Sequence, residues 1–226
     1  MDDELKKYGA GIALCAFFVL FVGSTFTIWG ITAEGEIDDV GKSNYEFKFS
    51  IDEGESGFDY KYAQSFKDDY DVTDESENGD LEYDDLPCNC DELESFFGNL
   101  KLLFYGLLIS GCAMAYIGHT GEKTEYTEKA IGAAALFSVI IVAYTFISLP
   151  NAFEEDFEHH AAFNGFDLPG FYGTEKDTIE ESEDDYQTEI EFKAKPGLGY
   201  IAGVVSLGLA GYLIRERGIT LEDITG

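Results

Sequence analysis

The sequence predicts a membrane α-helical fold, in which four transmembrane helices form a bundle and two external loops build a small antiparallel β-sheet. Three observations lead to this fold class: four long apolar runs, basic residues beside the ends of these runs, and alternating apolar and polar residues in the segments between them. Bulk composition alone would mislead, because 226 residues with 26% charged residues and a net charge of -31 resemble an acidic soluble domain.

The apolar runs extend over residues 8–29, 100–117, 130–149 and 198–214. Each has about 17 to 22 residues, and a helix of that length spans a hydrocarbon core of roughly 30 Å. A buried helix of a soluble protein would carry a polar stripe at helical period, and the first run has none. The sequence therefore predicts transmembrane helices at 8–30, 99–118, 130–149 and 197–214.

Basic residues near the ends of the runs predict the orientation. Cytoplasmic segments favour Lys and Arg, and six such residues flank the runs: Lys6, Lys7, Lys123, Lys129, Arg215 and Arg217. Segments 1–7, 119–129 and 215–226 are therefore expected in the cytoplasm, and segments 31–98 and 150–196 outside a cell membrane. Lys101, Lys193 and Lys195 lie at the external ends of the second and fourth runs and weaken this orientation. The opposite orientation is less favourable, because it would move all three segments that carry the six flanking basic residues across the membrane.

The first run also has features of a cleaved signal peptide. Lys6 and Lys7 precede an apolar stretch, and the small residues Gly23 and Ser24 follow it. The apolar character continues through Ile28 to Trp29, past that cleavage position, which favours an uncleaved span.

The predicted topology places most of the negative charge outside the cell. Nine of the 45 acidic residues and six of the 14 basic residues fall in cytoplasmic segments, which leaves 36 acidic and eight basic residues outside and an external charge of -28. Such a surface repels nucleic acid and attracts cations and basic partners. The alternative is a solvated surface adapted to salty surroundings.

Three external segments alternate apolar and polar residues, as strands with one buried face do. Residues 45–51 and 58–62 are separated by a Gly-containing turn at 52–57, which predicts a hairpin. Residues 186–194 form a third alternating segment that leads into the fourth span. Since a lone hairpin is marginal in water, the two loops are expected to share one sheet.

This order of elements resembles the claudin-like group of four-span membrane proteins. In that group a long first loop supplies most of an external sheet, the second loop adds a strand before the fourth span, and a Trp ends the first span, as Trp29 does here. In place of the family's Gly-Leu-Trp and two separated cysteines, this chain has Pro87-Cys88-Asn89-Cys90. The resemblance implies a role in adhesion or assembly.

Residues 74–85 resemble the calcium loop of an EF-hand, with Gly79 at the position of the sharp turn. Position 12 is an Asp instead of Glu, and no amphipathic helix flanks the loop, so a plain acidic turn is the alternative. The predicted ligands of a possible calcium ion are Asp74, Ser76, Asn78, Asp80 (through its carbonyl), Glu82 and Asp85.

A second possible metal site combines Cys88 and Cys90 with His159 and His160, a ligand set suited to zinc or copper. The alternatives are surface histidines and a thiol pair that forms a strained disulfide or pairs with another chain.

The fourth span carries small residues at a spacing of four, which allows close helix approach. They are Gly199, Gly203, Ala202, Ser206 and Ala210. Packing within the chain's own bundle and association of two chains both fit this pattern.

Together these features predict a non-enzymatic multi-pass membrane protein whose acidic external domain contacts a partner, a cation or the cell envelope. The predicted partners are the lipid bilayer, other membrane or surface proteins, or further copies of the chain, and not nucleic acid. No ionised group lies at mid-depth in a span, as transporters require, and no catalytic motif is present. The alternatives are an accessory subunit of a larger membrane complex and a metal-handling membrane protein.

Overall fold

A computed structural model describes residues 2–37, 40–51, 54–81, 91–121, 126–157, 166–180 and 187–225. The helices are α1 (Asp3–Phe21), α2 (Gln64–Tyr70), α3 (Asp91–Thr120), α4 (Tyr126–Phe157), α5 (Leu198–Arg217) and α6 (Leu221–Thr225). The strands are β1 (Trp29–Ile37), β2 (Gly41–Phe49), β3 (Gly54–Tyr62), β4 (Glu75–Leu81), β5 (Gly173–Glu180) and β6 (Gln187–Pro196). A short 3₁₀ turn, Gly23–Thr25, lies between α1 and β1.

Three helices in the described residues are long and apolar enough to cross a membrane. They are α3, α4 and α5, with 30, 32 and 20 residues, and they correspond to the second, third and fourth predicted spans. Helix α1 has 19 residues and carries charged side chains in its first two turns. Its uncharged part, from Tyr8 onward, is about 21 Å long at 1.5 Å per residue, which is shorter than a hydrocarbon core.

The first apolar run is therefore not one helix over 8–30 as predicted. The helix ends at Phe21, and Trp29 begins a strand. The physical reason is tertiary packing: the Trp29 ring stacks on Phe49 with ring centroids 6.1 Å apart and meets the edge of Phe153 at 5.2 Å. Burial of this large aromatic side chain in the sheet core outweighs the continuity of the apolar run.

Four long helices contact one another in a closed ring, in which α1 and α4 each contact both α3 and α5. At one end of this ring, Asp2 connects three of them. Its carboxylate accepts a hydrogen bond of 3.1 Å from the Leu5 amide and forms an ion pair of 2.5 Å with Arg217, while its own amide donates to the Gly118 carbonyl at 2.9 Å. The N-terminal segment thus packs as an integral part of the fold.

The two loops that were predicted to be external both contribute to one antiparallel sheet, which has six strands in the described residues, in the order β4-β3-β2-β1-β6-β5. The prediction of a sheet shared by two loops is confirmed, but the sheet has six strands instead of three. The hairpin does not pair directly with β6, because β1 lies between them: Ile31 is opposite Phe47 on one side and Ala194 on the other. Strand β3 also begins at Gly54, within the predicted turn.

An extension of α4 supports the sheet. The helix was predicted to end at residue 149, yet it continues past Pro150 to Phe157. Phe153 and Phe157 contact Phe49 and Phe47, with ring centroids 5.7 Å and 5.0 Å apart. One helical turn and two strand residues both advance about 6 Å, so α4 runs alongside β2. The sheet therefore stands roughly parallel to the helix axis, with one face against α4.

Candidate functional site on the outer face of the sheet

The two faces of the sheet have different environments. On the inner face, Trp29, Ile31 and Phe192 are buried against the helices and the second loop. The Trp29 indole N–H donates a buried hydrogen bond of 2.8 Å to the Phe171 carbonyl, which fixes residues of the second loop below β1. The opposite face, which we call the outer face, carries the alternate residues of each strand, since side chains alternate along a strand.

The outer face concentrates basic residues on an otherwise acidic exterior. Of the seven lysines in the predicted external segments, six lie on it, and among the described side chains six acidic residues balance them. The lysines are Lys42, Lys48, Lys61, Lys176, Lys193 and Lys195, and the acidic residues are Glu34, Glu36, Glu46, Asp59, Glu189 and Glu191. Counting Glu55, Asp80 and Glu180, whose register positions also belong to this face, the outer face carries a charge of -3, whereas the predicted exterior carries -28 in total.

Ion pairs connect these charges within and between strands. Lys42 contacts Glu36 at 2.7 Å, and Lys193 contacts Glu34 at 2.8 Å and Glu191 at 3.3 Å. The hydrogen bond that the Lys193 ammonium donates to the Glu34 carboxylate raises the pKa of Lys193 above its ordinary value. Exposed pairs of this kind each contribute about 0.2 to 1 kcal/mol.

Like charges also lie directly opposite one another on neighbouring strands. Lys42 is opposite Lys61, and Glu36 is opposite Glu189. Directly opposed like charges destabilise a sheet. Lys61, Lys42, Glu36 and Glu189 form one row across the strands. In this row the residues on β3 and β2 are basic, and those on β1 and β6 are acidic.

Eight of these twelve charged residues line an open hollow of about 570 Å³ that crosses β3, β2, β1, β6 and β5. The polar groups in its lining are carboxylate, ammonium, amide and hydroxyl groups, and Gly35 and Ile190 line it as well. Such a surface suits contact with another polar surface, because each charge can exchange its present partner for one of opposite sign.

The predicted calcium loop is only partly described, and that part is a strand. Residues 75–81 form β4, which pairs with β3 throughout. Asp74 accepts a hydrogen bond from the Tyr62 amide and pairs with Lys67 at 2.5 Å, which lowers the pKa of its carboxyl group. Ser76, Asn78 and Asp80 lie in the strand, and Glu82 and Asp85 lie outside the described residues. Calcium binding stays a prediction, and EF-hand geometry would require β4 to leave β3.

The predicted thiol and imidazole site, Cys88, Cys90, His159 and His160, lies entirely outside the described residues. In the described part of the chain, no three His, Cys, Asp or Glu side chains are grouped so as to hold a metal ion. The nearby Asp156 has a structural contact: its carboxylate accepts hydrogen bonds from the Leu93 and Glu92 amides at 2.7 Å and 3.2 Å. It therefore satisfies free N–H groups at the start of α3.

The small residues of α5 lie on its buried face, which consists of Gly199, Ala202, Gly203, Ser206, Ala210 and Leu213. A Cβ atom at Gly203 would lie 3.0 Å from the Ile141 side chain of α4, and one at Gly199 would lie 2.7 Å from the Phe26 carbonyl oxygen. In this structure, these two glycines pack against other parts of the same chain.

A closer helix approach, which the sequence analysis missed, joins α1 to α3. A Cβ atom at Gly111 would lie 2.6 Å from the Ala13 backbone nitrogen, and one at Gly9 would lie 2.6 Å from that of Ala115. Gly118 contacts the backbone of α1 in the same way. The seven-residue spacing of Gly111 and Gly118 is the sequence signal that could have indicated this contact.

The outer face of the sheet was also not predicted as a site, because its assignment depends on β1 and β5, two strands the sequence analysis did not identify. No protein-family model, curated protein or solved structure matches this chain. The resemblance to claudin-like proteins therefore stays a prediction, and the geometry of the chain itself is the basis for its function.

Proposed function

We propose that this chain is a non-enzymatic, four-span protein of the cell membrane that presents the outer face of its external sheet to a protein partner. Three helices of membrane-spanning length support the membrane assignment. As the fourth span, α1 would extend through the 3₁₀ turn to Phe26, and residues 8–26 would then cover about 30 Å. The observation that carries the contact function is the concentration of six lysines on one face, which is nearly neutral on a strongly acidic predicted exterior.

The position of this face also supports contact with a neighbour in the same membrane. The inner face packs on α4, and the strands run alongside that helix, so the outer face is directed sideways above the lipid. A partner embedded beside the chain could reach it. An accessory subunit of a larger complex is the second candidate, and it would use the same exposed face.

The topology can be tested with the native lysines and an impermeant amine reagent. In intact cells Lys42, Lys61 and Lys176, whose side chains are 67% to 69% exposed, should be labelled. Lys6, Lys7 and Lys129 should be labelled only after permeabilisation, as judged by mass spectrometry of the peptides. Labelling of Lys6 and Lys7 together with Lys42 in intact cells would eliminate α1 as a span and place the N-terminus outside.

The contact function can be tested by site-specific photo-cross-linking in native membranes. A photoreactive residue replacing Asn44, on the outer face, should give a protein adduct. The same residue replacing Tyr172, which is 75% exposed but lies outside this face, should not. Absence of an adduct at Asn44 would refute contact through the outer face, and the mass of an adduct would distinguish another protein from a second copy of the chain.

A further inference from the structure

We propose that the partner on the outer face is a second copy of this chain, related by a two-fold axis that runs parallel to the strands between β1 and β2. This inference rests on the proposed membrane function and names the partner for the same face. It differs from association through the small residues of α5, two of which, Gly199 and Gly203, contact other parts of the same chain.

The first argument is charge. With a predicted external charge of -28, contact between two copies brings negative surfaces together almost everywhere. The outer face is the exception, because six lysines balance most of its acidic residues and leave a charge of only -3. Repulsion between copies is therefore lowest when two outer faces meet.

The second argument is the order of charges in the row most distant from the helices. Across β3, β2, β1 and β6 the row consists of Lys61, Lys42, Glu36 and Glu189, each directly opposite the next. A two-fold axis between β2 and β1 exchanges the two halves of this row. Lys42 of one copy then faces Glu36 of the other, and Lys61 faces Glu189. The like-charge neighbours of this row, which destabilise one sheet, become complementary in a pair of sheets. In the next row the same axis places Asp59 opposite Glu191, so each half of the interface keeps one like-charge contact there.

The third argument is size and orientation. Six strands about 4.8 Å apart and nine residues long give a face of about 24 by 30 Å, or roughly 700 Å² per copy. Stable protein interfaces bury about 800 Å² per partner, so the face is of adequate size. Because the strands run alongside α4, an axis parallel to the strands also runs roughly along the membrane normal. Both copies can therefore remain in the same bilayer. Water and side chains would fill the open hollows of the two outer faces where these faces meet.

The test is co-purification of two differently tagged full-length chains, co-expressed and extracted in mild detergent. Wild-type chains should co-purify. The variant Lys42→Glu/Lys61→Glu should associate with itself roughly tenfold or more weakly, and so should Glu36→Lys/Glu189→Lys. Co-expression of the two variants should restore association, because the reversed charges again meet charges of opposite sign.

A matched control separates this pairing from a general change in charge. The variant Glu154→Lys/Glu175→Lys alters the net charge as much as Glu36→Lys/Glu189→Lys but lies off the outer face, so it should co-purify like the wild type. Thermal unfolding of each purified variant checks that it is folded. Failure of the mixed pair to associate when both variants are folded, or wild-type chains that do not co-purify, would overturn the proposal. A photo-adduct of Asn44 with a different protein would overturn it while leaving the proposed contact function intact.

Discussion

The close approach of α1 and α3 leads to a quantitative prediction about Gly111. The Cβ atom of alanine at this position would lie 2.6 Å from the Ala13 nitrogen and 3.0 Å from the Gly9 carbonyl oxygen. Optimal contacts between such atoms are about 3.5 Å, so the two backbones would have to separate by nearly 1 Å. Overpacking of this kind costs about 1 to 3 kcal/mol, and the better helix propensity of alanine offsets up to about 1 kcal/mol. We therefore expect Gly111→Ala to destabilise the protein by about 1 to 2 kcal/mol.

The assay is thermal unfolding of the full-length protein in detergent, with Gly208→Ala as the control. Gly208 also lies inside a long helix, but a Cβ atom there would have no neighbour within 4 Å. The control should be as stable as the wild type or slightly more stable, since only the propensity effect remains. Equal melting temperatures for the two variants would refute the argument that backbone contact between α1 and α3 requires glycine.

Two further predictions concern the external domain. Trp29→Phe should lower the free energy of unfolding by about 1 to 3 kcal/mol, because the Phe171 carbonyl would stay buried without its donor; the exposed substitution Tyr172→Phe should have no measurable effect in the same melting assay. If residues 74–85 bind calcium, calcium should raise the melting temperature more than magnesium does and should accelerate amide exchange of β4, since ligation in EF-hand geometry must separate β4 from β3. Unchanged exchange of β4, together with equal responses to the two ions, would eliminate the calcium site.

The sequence predicted those elements whose signal is local. Residues 45–51 alternate strictly, and β2 forms there, while the runs at 99–118 and 197–214 correspond to α3 and α5. Their apolar pattern alone determines where they are buried. The shared sheet followed from a general argument, that a lone hairpin is too small to be stable.

The elements that were missed depend on tertiary contacts. Strand β1 carries a period of two in Trp29, Ile31 and Ala33, but it follows an apolar run directly, so the helix was extended through it. Strand β5 is an edge strand with exposed positions along most of its length, and its residues show no clear apolar alternation. The outer face includes residues of both β1 and β5. The order of its charges across the strands could therefore not be determined from the sequence before the pairing register of these strands was known.

The central position of β1 has a consequence for biosynthesis. On one side β1 pairs with β2, which follows it immediately, but on the other it pairs with β6, where Trp29 is opposite Pro196. During translation this second edge of β1 has to wait until more than half of the chain has been made, because β6 begins at Gln187. An exposed strand edge is a template for incorrect pairing. Truncated or stalled chains should thus display this unpaired edge, which a cell's quality-control machinery could use to distinguish unfinished chains from complete ones.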